Sequence, residues 1–137
     1  MKKGKRPRVL LADDYPPILE QAKKLLNGHC EIVGVASNGG EALQLSLTLK
    51  PDIVVLDISM PVFSGLEVAS RLKESGCKAK IIFVTVQDDR DYVDTGFSLG
   101  ASGYVLKRRI GIDLLVAIDA VLNDCTFTSP IAAPVVA

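Results

Sequence analysis

The chain has no tryptophan, one histidine and three cysteines, and aromatic residues make up only 5% of its 137 residues. An aliphatic core is therefore required, and a hydrophobic content of 48% is enough to build one at single-domain length without staples. The lone histidine, His29, follows the turn pair Asn27-Gly28 and has no second histidine or cysteine pair to share a metal with, so it reads as an exposed loop residue. Cys30, Cys77 and Cys125 are scattered, odd in number and form no CxxC pair. They indicate neither a disulfide framework nor a zinc site, and fit small buried hydrophobes or surface thiols in a reducing cytosol. Net charge is missing too: 16 basic residues cancel 16 acidic ones. That excludes a domain held to nucleic acid by bulk electrostatics. Met1 to Arg8 is locally basic, through Lys2, Lys3, Lys5, Arg6 and Arg8, and reads as a solvated, frayed end. No apolar run approaches the roughly 20 residues that span a bilayer. The first run, Val9 to Ala12, is too short for a secretion signal. A cytoplasmic chain without membrane contact is expected.

What is present is an alternation of short apolar runs and helical patterns. The runs are Val9 to Ala12, Glu31 to Ala36, Ile53 to Leu56, Ile81 to Val84 and Tyr104 to Leu106. Between them lie amphipathic segments: one opened by Pro16-Pro17, one from Asn38-Gly39-Gly40 to Lys50-Pro51, and then Gly65 to Ser75, Asp91 to Leu99 and Leu114 to Leu122. Strands apolar on both faces and joined by helices imply a parallel sheet covered on both sides. The expected fold is α/β and flavodoxin-like: five parallel strands, doubly wound with five helices. By fold analogy the strand order is 2-1-3-4-5.

Four of the five runs end on residues that carry chemistry: Asp13-Asp14, Asp57, Thr85 and Lys107. In open α/β sheets ligands bind at the carboxyl ends of the strands, where the winding reverses. With this order the reversal lies between the first and third strands, which are the two that end in aspartates. Crowded carboxylates repel and raise each other's pKa. A divalent cation that prefers oxygen ligands relieves the conflict, and Mg²⁺ is the natural candidate. A carboxylate is also a competent nucleophile toward phosphorus. Phosphoryl transfer then needs positioning and neutralised equatorial oxygens, which Mg²⁺, the Lys107 ammonium and the Thr85 hydroxyl would supply. Each feature alone has a plainer reading: a capping pair, a strand threonine, a solvated lysine. Their coincidence at one edge is what favours a site. Asp88, Asp89, Asp91 and Asp94 read as a helix-start charge bias with a solvated face, and Gly39-Gly40 reads as a helix-start turn with no phosphate-binding lysine behind it.

Leu11-Ala12-Asp13-Asp14, the run from Pro51 through Asp57 to Pro61, Gly65-Leu66-Glu67, Val84-Thr85 and the run from Gly100 to Lys107 resemble the motifs of response-regulator receiver domains of two-component systems. The resemblance covers residues 7–124, with 125–137 left as a tail or a truncated linker to an output domain. It implies phosphorelay signal transduction. Asp57 matches the phosphoacceptor, Asp14 the direct metal ligand, Asp13 the acid that works through water, and Ser59 the residue whose backbone carbonyl completes the Mg²⁺ site. Thr85 and Lys107 match the switch hydroxyl and the phosphate-binding lysine, and Tyr104 the aromatic that turns inward. For Tyr104 the plainer alternative is a half-buried edge residue. Ser59 and Gln87 occupy positions that tune phosphoryl lifetime. The implied partners are a sensor histidine kinase, an output domain or partner protein on the face of the fourth helix, fifth strand and fifth helix, and a second copy of the chain. The chain itself would not contact DNA. It would be an acceptor that assists its own phosphorylation and dephosphorylation, and no separate enzyme is implied. A haloacid-dehalogenase-like phosphatase also uses an aspartyl nucleophile, but wants a second acid where Ser59 stands.

Two positions depart from the pattern. Val86 stands where a small residue is usual, bordering the mouth of the acceptor site. Arg108 follows Lys107 where many receivers have proline, so the lysine could be held differently. The segment Asp124 to Pro130 resembles the exit of receivers that precede a LuxR-type helix-turn-helix domain. Ile131 to Ala137 is too short to form one. The chain therefore reads as the receiver part of a transcriptional regulator, or as a stand-alone receiver acting through protein contacts.

Overall fold

The computed structural model describes residues 6–131. Lys2, Lys3 and Lys5 of the basic amino terminus, and the tail beyond Ile131, lie outside the described residues. In chain order the elements are β1 (Arg8–Ala12), α1 (Pro16–Leu26), β2 (Glu31–Ala36), α2 (Gly39–Leu49), β3 (Ile53–Leu56), α3 (Gly65–Glu74), β4 (Lys80–Thr85), α4 (Arg90–Ser98), β5 (Gly103–Leu106), a single 3₁₀ turn (Lys107–Arg109), α5 (Ile110–Leu122) and β6 (Phe127–Thr128). All strand pairs are parallel, and the order is β2-β1-β3-β4-β5-β6. The expected 2-1-3-4-5 core is present. Its outer edge carries one further short strand, β6, from the exit segment.

The period-two geometry of a strand divides the core in two. Val9, Leu11, Ile53, Val55, Ile82, Val84 and Val105 face one side, against Ala22 and Leu26 of α1 and Leu114, Ala117, Ile118 and Val121 of α5. Leu10, Ala12, Val54, Leu56, Ile81, Phe83, Tyr104 and Leu106 face the other, against Ala42 of α2, Val68, Ala69 and Leu72 of α3 and Val93 of α4. Burial on both faces explains why the strands read as unbroken apolar runs.

Local chemistry fixes the helix starts on the functional side. Pro16 and Pro17 occupy the first turn of α1. The Asn38 side chain accepts the Glu41 N–H at 2.9 Å, and the Glu41 carboxylate accepts the Ser37 N–H in return at 2.8 Å. Ser64 caps α3 by accepting from Glu67 N, and Asp89 caps α4 by accepting from Asp91 N. That gives Asp89 of the acidic run a structural task and leaves Asp88, Asp91 and Asp94 exposed. His29 is exposed, as expected; Cys30 is buried, Cys77 intermediate and Cys125 exposed.

Candidate functional site

The β1–β3 pairing places Ala12 beside Leu56, so the next residues, Asp13 and Asp57, leave the sheet together. The Asp57 N–H donates to the Ala12 carbonyl at 2.9 Å, and the Asp13 N–H to the Ala36 carbonyl at 3.1 Å. Each carboxylate is then aimed by its own loop. Asp13 Oδ1 accepts the Tyr15 N–H at 2.8 Å, and Asp57 Oδ1 accepts the Ile58 N–H at 2.8 Å. Asp13 and Asp57 are buried, while Asp14 sits exposed at the mouth. One carboxylate oxygen from each of the three lies within 4.8 Å of the others.

Lys107 answers this crowding. Its Nζ lies 3.0 Å from Asp13 Oδ2 and donates to Asp57 Oδ2 at 3.1 Å. Burial and the Asp13 charge push the Asp57 carboxyl up, against the lowering effect of Lys107 and the Ile58 N–H. Burial works against the Lys107 ammonium, but hydrogen bonds and charge from Asp13 and Asp57 outweigh it and hold its pKa above the usual lysine value. The site is thus an unequal balance of two buried anions, a third at the rim and one cation.

Thr85 is fully buried at the end of β4, and its Oγ1 accepts the Gln87 N–H at 3.3 Å. Tyr104 is 1% exposed and donates its hydroxyl to the Gln87 carbonyl at 2.6 Å. The half-buried edge reading of Tyr104 is therefore incorrect: its ring packs inside the sheet–α4 core, tilted against Phe83. Burial, then the nearby acids Asp88 and Asp89, Tyr92 and Asp57 push the phenol pKa far up, so it stays a donor. Thr85 and Tyr104 both meet Gln87, which joins the strand-end hydroxyl to the buried aromatic through one loop residue.

Val86 is 65% exposed, directly after Thr85 at the end of β4. Arg108 lies in the 3₁₀ turn and pairs with Asp88 across 3.4 Å; with Arg108 in that position, Lys107 still reaches both buried carboxylates. Ser59 stands exposed in the turn two residues beyond Asp57. The loop around the acceptor is packed to the limit. A Cβ on Gly65 would lie 2.0 Å from the Asp57 carbonyl oxygen, and one on Gly39 would lie 2.0 Å from the Phe63 carbonyl oxygen. A cavity of about 1140 Å³ opens at the other end of the sheet, lined by Arg8, Pro51 and Lys80 among others, away from the strand-end carboxylates.

Sequence reasoning missed Asp113 and Ser129. Both are buried. Asp113 lies on the inward stripe of α5 with Ile110, Leu114, Ala117, Ile118 and Val121. A charged residue at core spacing was the available signal.

The family model described as "Response regulator receiver domain" matches residues 9–119. The chain belongs to this family. The receiver is 37% identical over 112 residues to the nitrate/nitrite response regulator protein NarL of Escherichia coli, a match covering 80% of this chain and 52% of the relative. It is 35% identical over 123 residues to the oxygen regulatory protein NreC of Staphylococcus haemolyticus, covering 88% of this chain and 57% of the relative. The receiver thus spans about half the length of these curated relatives. Among solved structures, a two-component response regulator of the LuxR family from Aurantimonas sp. SI85-9A1 superposes with a TM-score of 0.86 at 31% identity, covering 92% of this chain and 91% of that one. The signal receiver domain of the response regulator NarL from Mycobacterium tuberculosis gives 0.80 at 28% identity, covering 88% and 96%. Among the described residues no helix is long and apolar enough to cross a membrane.

Proposed function

We propose that Asp57 accepts a phosphoryl group from a phosphohistidine on a sensor kinase. In this step the donor's N–P bond breaks and a bond from phosphorus to an Asp57 carboxylate oxygen forms. The observation that carries the reading is the Lys107 bridge between Asp13 and Asp57 at the reversal point of the sheet. Three carboxylates beside a single ammonium form an oxygen-only donor set that suits Mg²⁺ and leaves a cation free to meet a phosphoryl oxygen. Asp13, Asp14, Asp57 and the backbone carbonyl of Ser59 would hold Mg²⁺, which when bound neutralises charge at the phosphoryl oxygens. Lys107 then exchanges its Asp57 contact for the new anion. Thr85 donates its hydroxyl toward the same anion and gives up the Gln87 N–H contact. Tyr104, tied to the Gln87 carbonyl, responds in the same loop.

The receiver acts as a switch for a downstream partner: an output domain, a partner protein or a second copy of the chain, on the face made by α4, β5 and α5, where β6 covers the edge of β5. Its likeness to transcriptional regulators over about half their length supports a place in a cytoplasmic transcription regulator whose DNA contacts lie in another domain. Asp57 holds the phosphoryl group and passes it to water; it does not turn over a separate substrate.

The test is incubation with acetyl phosphate and Mg²⁺, followed by intact-mass measurement. The unmodified receiver gains one phosphoryl group and Asp57→Asn gains none. Mg²⁺-dependent labelling that survives Asp57→Asn sinks the assignment.

A further inference from the structure

The exit segment after α5 is bonded to the two peptide groups on either side of Val105, the first of which carries the Tyr104 carbonyl. α5 ends in a turn at Asp124, whose backbone has φ 60° and whose carboxylate meets Lys80 Nζ at 2.9 Å. The chain then runs back along β5, with Phe127 beside Gly103 and Thr128 beside Tyr104. Ser129 makes the decisive contacts. Its N–H donates to the Tyr104 carbonyl at 2.8 Å, and its Oγ accepts the Leu106 N–H at 3.1 Å. The same hydroxyl donates to Asp113 Oδ2 at 2.6 Å, and that oxygen also accepts from Arg109 Nε at 2.8 Å. One buried serine therefore grips both sides of the Tyr104–Leu106 stretch and anchors it to the first turn of α5. Phe127 packs on the α1–α5 side of the sheet and Ile131 against the cluster that holds Tyr104.

Nothing in the acceptor chemistry needs these contacts. A buried charge is expensive unless it is paired and hydrogen-bonded; Arg109 pairs with Asp113 locally at the start of α5, and the exit strand adds the Ser129 hydroxyl as a hydrogen-bond donor. Lys107, which bridges the acceptor carboxylates, immediately follows Leu106. A shift of Lys107 or Tyr104 must therefore pass into the Ser129 contacts or break them.

We propose that β6 is a coupling latch: docking of the exit strand through Ser129 and the inward arrangement of Tyr104 stabilise one another, so that occupancy of the Asp57 site sets the position of whatever follows residue 131. This rests on Asp57 being the acceptor. Coupling between two sites is reciprocal. Undocking the strand must weaken binding of a phosphoryl mimic by the same factor that the mimic strengthens docking.

The experiment titrates beryllofluoride with Mg²⁺ into the unmodified chain, Ser129→Ala and Thr128→Ala, and follows amide exchange by NMR. In the unmodified chain the Phe127 and Ser129 amides exchange more slowly once the mimic is bound. Ser129→Ala binds the mimic about 5-fold more weakly or worse, while Thr128→Ala, altered at an exposed side chain of the same strand, matches the unmodified chain. Equal or tighter binding by a folded Ser129→Ala overturns the latch, as do unchanged Phe127 and Ser129 exchange rates in the unmodified chain. The exchange measurement also decides the matter if Ser129→Ala does not fold. Failure of the unmodified chain to bind beryllofluoride overturns the acceptor reading and the latch with it, whereas binding without coupling overturns the latch alone.

Discussion

Lys107 Nζ lies 3.1 Å from Asp57 Oδ2, so the nucleophile of the proposed reaction rests against the cation that would later hold its product. The same ammonium also reaches Asp13. In the resting site this half-buried cation thus offsets the like-charge repulsion of two buried carboxylates.

Replacing Lys107 with methionine separates its two roles. Without metal, Asp13 and Asp57 are left as uncompensated buried anions, and the chain is expected to lose about 2–4 kcal/mol of stability. Mg²⁺ then meets no competing cation and binds several-fold more tightly, restoring much of that loss. Urea unfolding with and without Mg²⁺ measures both effects. A variant whose stability and metal affinity equal those of the unmodified chain would show that the bridge carries no net energy.

Asp57 itself carries a pH dependence. Its folded-state pKa is raised by burial and the Asp13 charge. Above the ordinary carboxylate value of about 4, the folded state therefore binds more protons than the unfolded one, and stability falls as pH rises through the interval between the two pKa values. Within that interval the metal-free chain becomes more stable on mild acidification, and Mg²⁺ affinity weakens because the proton competes for Asp57. Asp57→Asn removes the titrating group. It should be more stable than the unmodified chain at neutral pH without Mg²⁺, and flat across the interval. Thermal melts over pH in chelator provide the measurement; identical slopes for the two proteins contradict the raised pKa.

Gly65 is fixed by contact with the acceptor's own backbone. Its N–H donates to the Ile58 carbonyl at 2.7 Å, and a methyl group on it would meet the Asp57 carbonyl at 2.0 Å. Gly65→Ala must push the β3–α3 loop away. Expected are a loss of about 2–3 kcal/mol and slower labelling of an unchanged Asp57 nucleophile, read from denaturant midpoints and acetyl phosphate kinetics on the folded fraction. Normal labelling rates would mean that the loop absorbs the methyl without moving the carboxylate.

Val62, in the same loop, adopts φ 73° and is 72% exposed. A β-branched residue is strained in the left-handed region, by about 1–2 kcal/mol. Because its exposed side chain contributes little burial, Val62→Gly should stabilise the receiver by about 1 kcal/mol, seen as a higher urea midpoint with an unchanged slope. A lower midpoint would mean that the valine makes contacts worth more than its strain.

The chain's pattern determined a good deal unaided. Two-sided apolar runs could be buried only in a parallel sheet covered on both faces, and four of the five runs ended on the residue that the strand delivers to the edge: Asp13, Asp57, Thr85, Lys107. The helix start at Asn38-Gly39-Gly40 is local, so it too was legible in the sequence, as was the exposure of His29. Three things needed the tertiary structure, because they depend on which surfaces meet and not on which residues are neighbours in the chain. The burial of Tyr104 follows from its packing against Phe83 and its bond to Gln87, 17 residues away. The Lys107 bridge spans 50 residues to Asp57. The sixth strand exists because Ser129 finds Tyr104, Leu106 and Asp113 beside it in space. Its two residues are too few to show any hydrophobic period, so the edge of β5, and not the sequence of the exit segment, decides that it is a strand.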